Sequence, residues 1–144
     1  MKNKPMLAIF VTILIDLLGF GLVIPILPNF AKSIGASALQ VGIIAGVYSL
    51  MNFIFANFWG TLSDRIGRRP VILVSVLITS ASYVLFGFAN SLILLFLSRL
   101  LAGIGSANFG AAQAYITDIS SPEERPKAMG MLGAAFGLGF IFGP

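Results

Sequence analysis

Apolar residues in this chain fall into five long runs separated by short polar or charged connections. The runs cover residues 6–28, 39–59, 71–90, 92–117 and 128–144. About 20 mainly apolar residues in a helix cross the hydrocarbon core of a bilayer. The first four runs are therefore read as complete transmembrane helices and the fifth as most of another. The connection between the third and fourth runs, Asn90 at the end of one and Ser91 before the other, is so short that those two helices must form an antiparallel hairpin. Five successive apolar runs leave too little polar surface to enclose them as core helices of a soluble domain. The predicted fold class is an all-α polytopic membrane protein, with one bundle spanning residues 1–144.

Composition agrees. The chain is 58% hydrophobic and 10% charged, against about 25% charged residues in ordinary soluble domains. Its 16 glycines and 7 prolines suit helices in lipid, where close packing compensates for backbone defects. With no cysteine and no histidine, disulfides and thiolate chemistry are excluded, and the commonest metal ligand and general base is missing. No nucleophile–base pair or metal cluster is visible, so the reading is of a protein that is not an enzyme, with no cofactor or metal.

The net charge of +4 suggests a nucleic-acid partner only until the charges are located. Lys2, Lys4, Arg65, Arg68, Arg69, Arg125 and Lys127 lie at the amino terminus and in the second and fourth connections. Lys32 alone lies in the opposite set. The positive-inside rule then places the amino terminus in the cytoplasm of a multi-pass protein of the cell membrane. A cleaved leader is not expected, because the first run continues to Pro28, contains Asp16 and lacks a small-x-small cleavage site.

Charges inside a membrane helix are costly and call for a partner or a function. Asp16 lies about ten residues into the first run, or roughly 15 Å deep. Arg99 lies about seven residues into the fourth from the outer side, or roughly 10 Å down. Two readings stay open: a proton site at Asp16 biased by Arg99, or a static ion pair joining the first and fourth helices. On the fourth run, Arg99, Gly103, Ser106, Gly110, Gln113 and Thr117 recur at helical spacing along one small or polar face, with Asn108 opposite. Tyr48, Asn52, Phe55 and Trp59 make a similar stripe on the second run, suited to packing or to substrate. Gly133 with Gly137, and Gly139 with Gly143, have GxxxG spacing, which lets helices approach closely in lipid. Pro144 follows at a position that would kink a continuing helix. Between runs two and three, Gly60 and Gly67 bound a turn crowded with Asp64, Arg65, Arg68 and Arg69. Asp118, Glu123, Glu124, Arg125 and Lys127 face the same side. Such charges either form a network that holds and releases the bundle or are simply topogenic and solvated.

Gly60-Thr61-Leu62-Ser63-Asp64-Arg65-Ile66-Gly67-Arg68-Arg69 resembles the signature loop between helices two and three of the major facilitator superfamily. The stretch from Asp16 through Gly19, Gly21 and Pro25 to Pro28 resembles the first-helix motif of its drug:proton antiporters. Leu95 through Arg99 and Gly103 to Gly105 resembles their fourth-helix motif. Gly139-Phe140-Ile141-Phe142-Gly143-Pro144 resembles the start of their fifth-helix motif. The closest flavour is tetracycline-efflux-like.

The resemblance implies a partial six-helix half of a two-half fold that rocks about a central cavity, its third helix peripheral. It implies that Asp64, Arg68 and Asp118 form a cytoplasmic charge relay, and that Asp16 and Arg99 couple protons. Phe20, Asn52, Gln113, Phe136 and Phe140 are the candidates for the substrate cavity. The implied partners are a small-molecule substrate, protons, the lipid bilayer, and a missing carboxy-terminal half or a partner chain. The expected function is proton-coupled efflux of small amphipathic molecules or drugs by alternating access. The rival is a non-transporting membrane protein that assembles with or regulates a full-length transporter.

Overall fold

In the computed structural model, which describes residues 3–144, the apolar runs are helical. The helices are α1 (Asn3–Ser33), α2 (Ala38–Ile66), α3 (Arg68–Gly87), α4 (Leu92–Ser106), α5 (Phe109–Ile119) and α6 (Arg125–Phe142). Lys2, one of the orienting charges, lies outside the described residues. α4 and α5 are two halves of one span, separated only by a turn at Ala107 and Asn108. α1, α2, α3 and the combined α4–α5 rod are long and apolar enough to cross a membrane. No strand occurs among the described residues.

The first two helices outrun their apolar runs at both ends. α1 continues through Pro25 and Pro28 to Ser33. Each proline removes one N–H donor and leaves only a carbonyl unpaired, a defect that membrane helices tolerate. α2 begins at a capping box, in which Ser37 and Gln40 satisfy each other's backbone N–H groups. It then runs past Trp59 to Ile66 and takes Gly60 into its interior. The expected glycine-bounded turn is corrected accordingly. Gly67 alone makes it, at φ +101° and ψ 159°, a left-handed conformation in which any Cβ is strained.

α3 pairs most extensively with α4, then α1 with α6 and α2 with α4. Two buried clusters result. One gathers Ile9, Ile13, Trp59, Val71, Ile116 and Leu132 around the charged-loop end. The other gathers Val23, Leu27, Ile44 and Leu95 toward the opposite end. Tyr83 packs against the second cluster, and Asp16 and Tyr48 line a cleft in the bundle. Outside, Leu39, Leu77, Phe88, Ile93 and Ile141 are largely exposed. A belt of that kind is stable only against lipid or another apolar surface.

α3 is less aliphatic within than its sequence suggests. Ser75, Thr79 and Ser82 are buried toward α4, and each hydroxyl donates to a carbonyl three or four residues back in its own helix. Their small size admits Gly105 of α4, where a Cβ would collide with Thr79 and the Ser75 carbonyl. At the break, buried Asn108 donates from Nδ2 to Ser75 Oγ over 2.7 Å. Asn108→Ala leaves that lone pair unanswered in the interior and is expected to cost about 1–3 kcal/mol. Thermal unfolding in detergent of N108A, S75A and the double variant tests it. Additive losses would show that the two side chains are not coupled.

Candidate functional site

At mid-depth the bundle opens into a cleft of about 480 Å³. Its walls come from α1, α2, the α4–α5 break and α6, and none from α3. Asp16 of α1 lines it, half-buried, beside Phe20. Asn52 and Tyr48 of α2 face it, and Phe136 and Phe140 of α6 close the far side. Four of the five residues expected at a cavity therefore share this cleft. Gln113 does not; it is exposed on α5, away from the cleft lining.

The aromatic rings form a connected set. Phe20 stacks on Tyr48 at 5.0 Å between centroids and meets Phe140 edge-on at 6.1 Å. Phe109, placed by the helix break, meets Phe136 edge-on at 4.9 Å. Rings arranged this way offer broad apolar contact, with Asn52 and Asp16 as polar points within it.

Asp16 and Arg99 are not joined. The ion pairs among the described residues all belong to Arg68, so the static-pair reading is corrected. Similar depth did not fix direction around the helix axes. α1 and α4 barely touch, and Arg99 instead lies over the rings of Tyr48 at 5.0 Å and Phe86 at 5.9 Å. Tyr48 borders both the cleft holding Asp16 and a second pocket holding Arg99. The α4 stripe thus divides. Arg99 and Gly103 are buried, Gly103 against Tyr48 and Met51 of α2, while Gly110 and Gln113 are exposed. The α2 stripe divides too, since Trp59 Nε1 donates to the Ile104 carbonyl at 2.6 Å and packs in the core.

Sequence reasoning missed Tyr83. Its hydroxyl donates to the Asp16 carbonyl at 3.2 Å, tying α3 to the acid-bearing turn of α1. A lone tyrosine in an aliphatic run, whose hydroxyl needs a partner when buried, was the available signal.

At the charged end, Arg68 bridges two helices. Its Nη1 lies 2.5 Å from Asp64 Oδ1, and its Nε donates to Asp118 Oδ2 at 3.2 Å. Nη1 also donates to Ser63 Oγ at 2.6 Å. Arg69 Nε donates to the Tyr115 hydroxyl at 3.0 Å, while Arg65 is exposed. Each member of the trio sits at the unfavourable helix end. The cation opens α3, while the acids close α2 and α5, against the macrodipole in every case. Glu123, Glu124, Arg125 and Lys127 are exposed and form no ion pair among the described residues.

Of the two GxxxG pairs, only one packs. Added Cβ atoms at Gly139 and Gly143 would strike Leu17, Gly21 and the Leu18 carbonyl of α1, and Pro144 lies beside Gly21. Gly133 and Gly137 have open space. Among the described residues no group of three or more acids could hold a metal.

Comparison with known proteins agrees with this architecture. The Major Facilitator Superfamily description matches residues 9–144. The tetracycline resistance protein, class B, of Escherichia coli is 42% identical over 147 aligned residues, covering all of this chain and 36% of that protein. Multidrug resistance protein 2 of Bacillus subtilis (strain 168) is 37% identical over 133 residues, covering 92% of this chain and 33% of its own. The chain thus spans about a third of the length of the curated relatives it matches. A crystal structure of a bacterial homolog to the human lysosomal transporter Spinster, inward-facing and unoccupied, superposes with a TM-score of 0.90. It is 23% identical and covers 99% of this chain and 30% of that one. A bundle whose hairpins, bridging Arg68 and packed Gly139–Gly143 edge all lie within one matched stretch belongs to the major facilitator superfamily.

Proposed function

We propose that this chain forms the amino-terminal bundle of a cell-membrane transporter that exports small amphipathic molecules in exchange for protons. One observation carries the reading: an ionisable carboxyl, Asp16, opens at mid-bundle onto an aromatic cleft of about 480 Å³. An ionised carboxylate is costly there, and a bound proton removes the charge. Proton binding and release at Asp16 would therefore bias which side the cleft opens to, through its different cost in the two states. The names of the tetracycline and multidrug resistance relatives, at 34–42% identity among those matched over nearly the whole chain, support an amphipathic drug-like cargo. The amino terminus lies in the cytoplasm in this reading, and the Arg68 bridge closes that side.

The test places the chain, with its complementary bundle on the same or a separate polypeptide, in proteoliposomes. An imposed pH gradient should drive uptake of an amphipathic drug, and collapsing the gradient should stop it. Uptake indifferent to the gradient would reject proton exchange. Assembly with a relative but no transport would favour the regulatory rival.

The Arg68 bridge is exposed at both acids, with side-chain exposures of 64% for Asp64 and 58% for Asp118. Exposed pairs contribute about 0.2–1 kcal/mol, a scale suited to a contact broken in every cycle. Asp118→Asn is expected to slow exchange about fivefold, the equivalent of roughly 1 kcal/mol, at unchanged substrate affinity. Arg65→Gln, at an exposed position outside the bridge, should change the rate less. Equal effects would remove Arg68–Asp118 as the gate.

A further inference from the structure

Arg99 is buried to 3% exposure. Among the described residues no carboxylate pairs with it, and its Nε has no hydrogen-bond partner. The Tyr48 and Phe86 rings answer part of its charge, but cation–π contacts are weaker than the cost of desolvating an ion. Arg99 also lines a second pocket of about 240 Å³ between α1, α2 and α4, where Val23, Leu27 and Val41 supply aliphatic walls. Phe20, Tyr48 and Ser49 border both this pocket and the central cleft. The two spaces are therefore neighbours that share one wall.

We propose that this pocket is an anion subsite, in which the Arg99 guanidinium takes a carboxylate carried on an apolar body. A planar carboxylate matches the guanidinium fork and answers the unpaired charge of the residue that lines the pocket. A single negative charge neutralises the single cation, whereas a doubly charged phosphate would leave net charge in an apolar space. At roughly 30 Å³ for each water-sized group, the volume holds about eight such groups, the scale of a six-carbon acid. The proposal rests on the export reading and deepens it, giving the amphipathic cargo an acidic arm held in this pocket beside the cleft.

The test uses the complete polypeptide in lipid nanodiscs with hexanoate as the probe and thermal unfolding as the readout, since a ligand of the folded state raises its Tm. Hexanoate should give a saturable rise that hexanol and hexylamine do not. Arg99→Gln should abolish it, and Arg99→Lys, which loses the fork, should weaken it about tenfold or more. Ala45→Leu narrows the pocket with the charge in place and should also block it. Without ligand, Arg99→Met should unfold at or above the wild-type temperature, because an unanswered buried charge is gone. A lower Tm for Arg99→Met would make the arginine a structural clamp and overturn the proposal. Equal shifts with hexanoate and hexanol, or in wild type and Arg99→Gln, would overturn it too. Asp16→Asn should keep the hexanoate response, so loss of proton exchange and loss of the anion subsite are read separately.

Discussion

Asp16→Asn is expected to lower proton-driven export by about a hundredfold or more, the scale of losing an essential proton-transfer group, with insertion and unfolding temperature close to wild type. Asparagine keeps the shape of the side chain but cannot take up and release a proton. The fold should tolerate the change because Tyr83 is bonded to the Asp16 main-chain carbonyl, not to its carboxyl. No ion pair is lost either, since Asp16 makes none among the described residues. Two measurements separate coupling from permeation. Accumulation against a gradient, driven by pH, should vanish in the variant. Exchange of labelled for unlabelled substrate down its own gradient should persist, because the aromatic walls are untouched. If D16N still concentrates substrate, the proton travels by another group and the proposed mechanism is wrong.

Much of this was legible in the sequence where chemistry violates a local rule. The crowding of Asp64, Arg68 and Asp118 on one side was readable, and the resemblance of the loop implied a relay. Their places at helix ends, against the macrodipole, follow only from α2 running to Ile66 and α3 starting at Arg68. Such misplaced charges mark function when they find one another, and Arg68 does hold both acids. Asp16 was readable as a charge inside an apolar run, and Phe20, Phe136 and Phe140 followed from the family resemblance; the structure sets all four around one cleft. What the sequence withheld was direction around each axis. Depth brought Asp16 and Arg99 level, yet α4 packs on α2 and α3 and turns the arginine toward Tyr48 and Phe86. Gln113 shares a helical stripe with Arg99 but lies beyond the break at Ala107 and Asn108, and faces outward. The α3 hydroxyls bond within their own helix, so their polarity announced no partner, and only Asn108 reads one of them out.

The glycines show the same limit, and they carry the largest structural effect. Gly105→Val is expected to prevent most of the chain from folding, and even Gly105→Ala should cost roughly 3 kcal/mol or more. A Cβ at Gly105 would lie 2.7 Å from the Thr79 backbone nitrogen and 2.9 Å from the Ser75 carbonyl oxygen. Neither backbone atom can rotate aside, so α3 and α4 must part along the bundle's most extensive pairing. That separation also breaks the Asn108–Ser75 bond at the helix break. Gly19→Ala should be milder, because its Cβ meets only the far end of the Tyr83 ring. The ring can swing away at the loss of its bond to the Asp16 carbonyl, about 1 kcal/mol. Gly133→Ala meets nothing within 4 Å and should be neutral, or more stable by up to about 1 kcal/mol through helix propensity. Unfolding temperatures and monodisperse yield in detergent should follow the order Gly133, Gly19, Gly105 from least to most damaged. A Gly133→Ala variant as unstable as Gly105→Ala would mean that glycine count, rather than the backbone contact beneath each glycine, sets how this bundle packs.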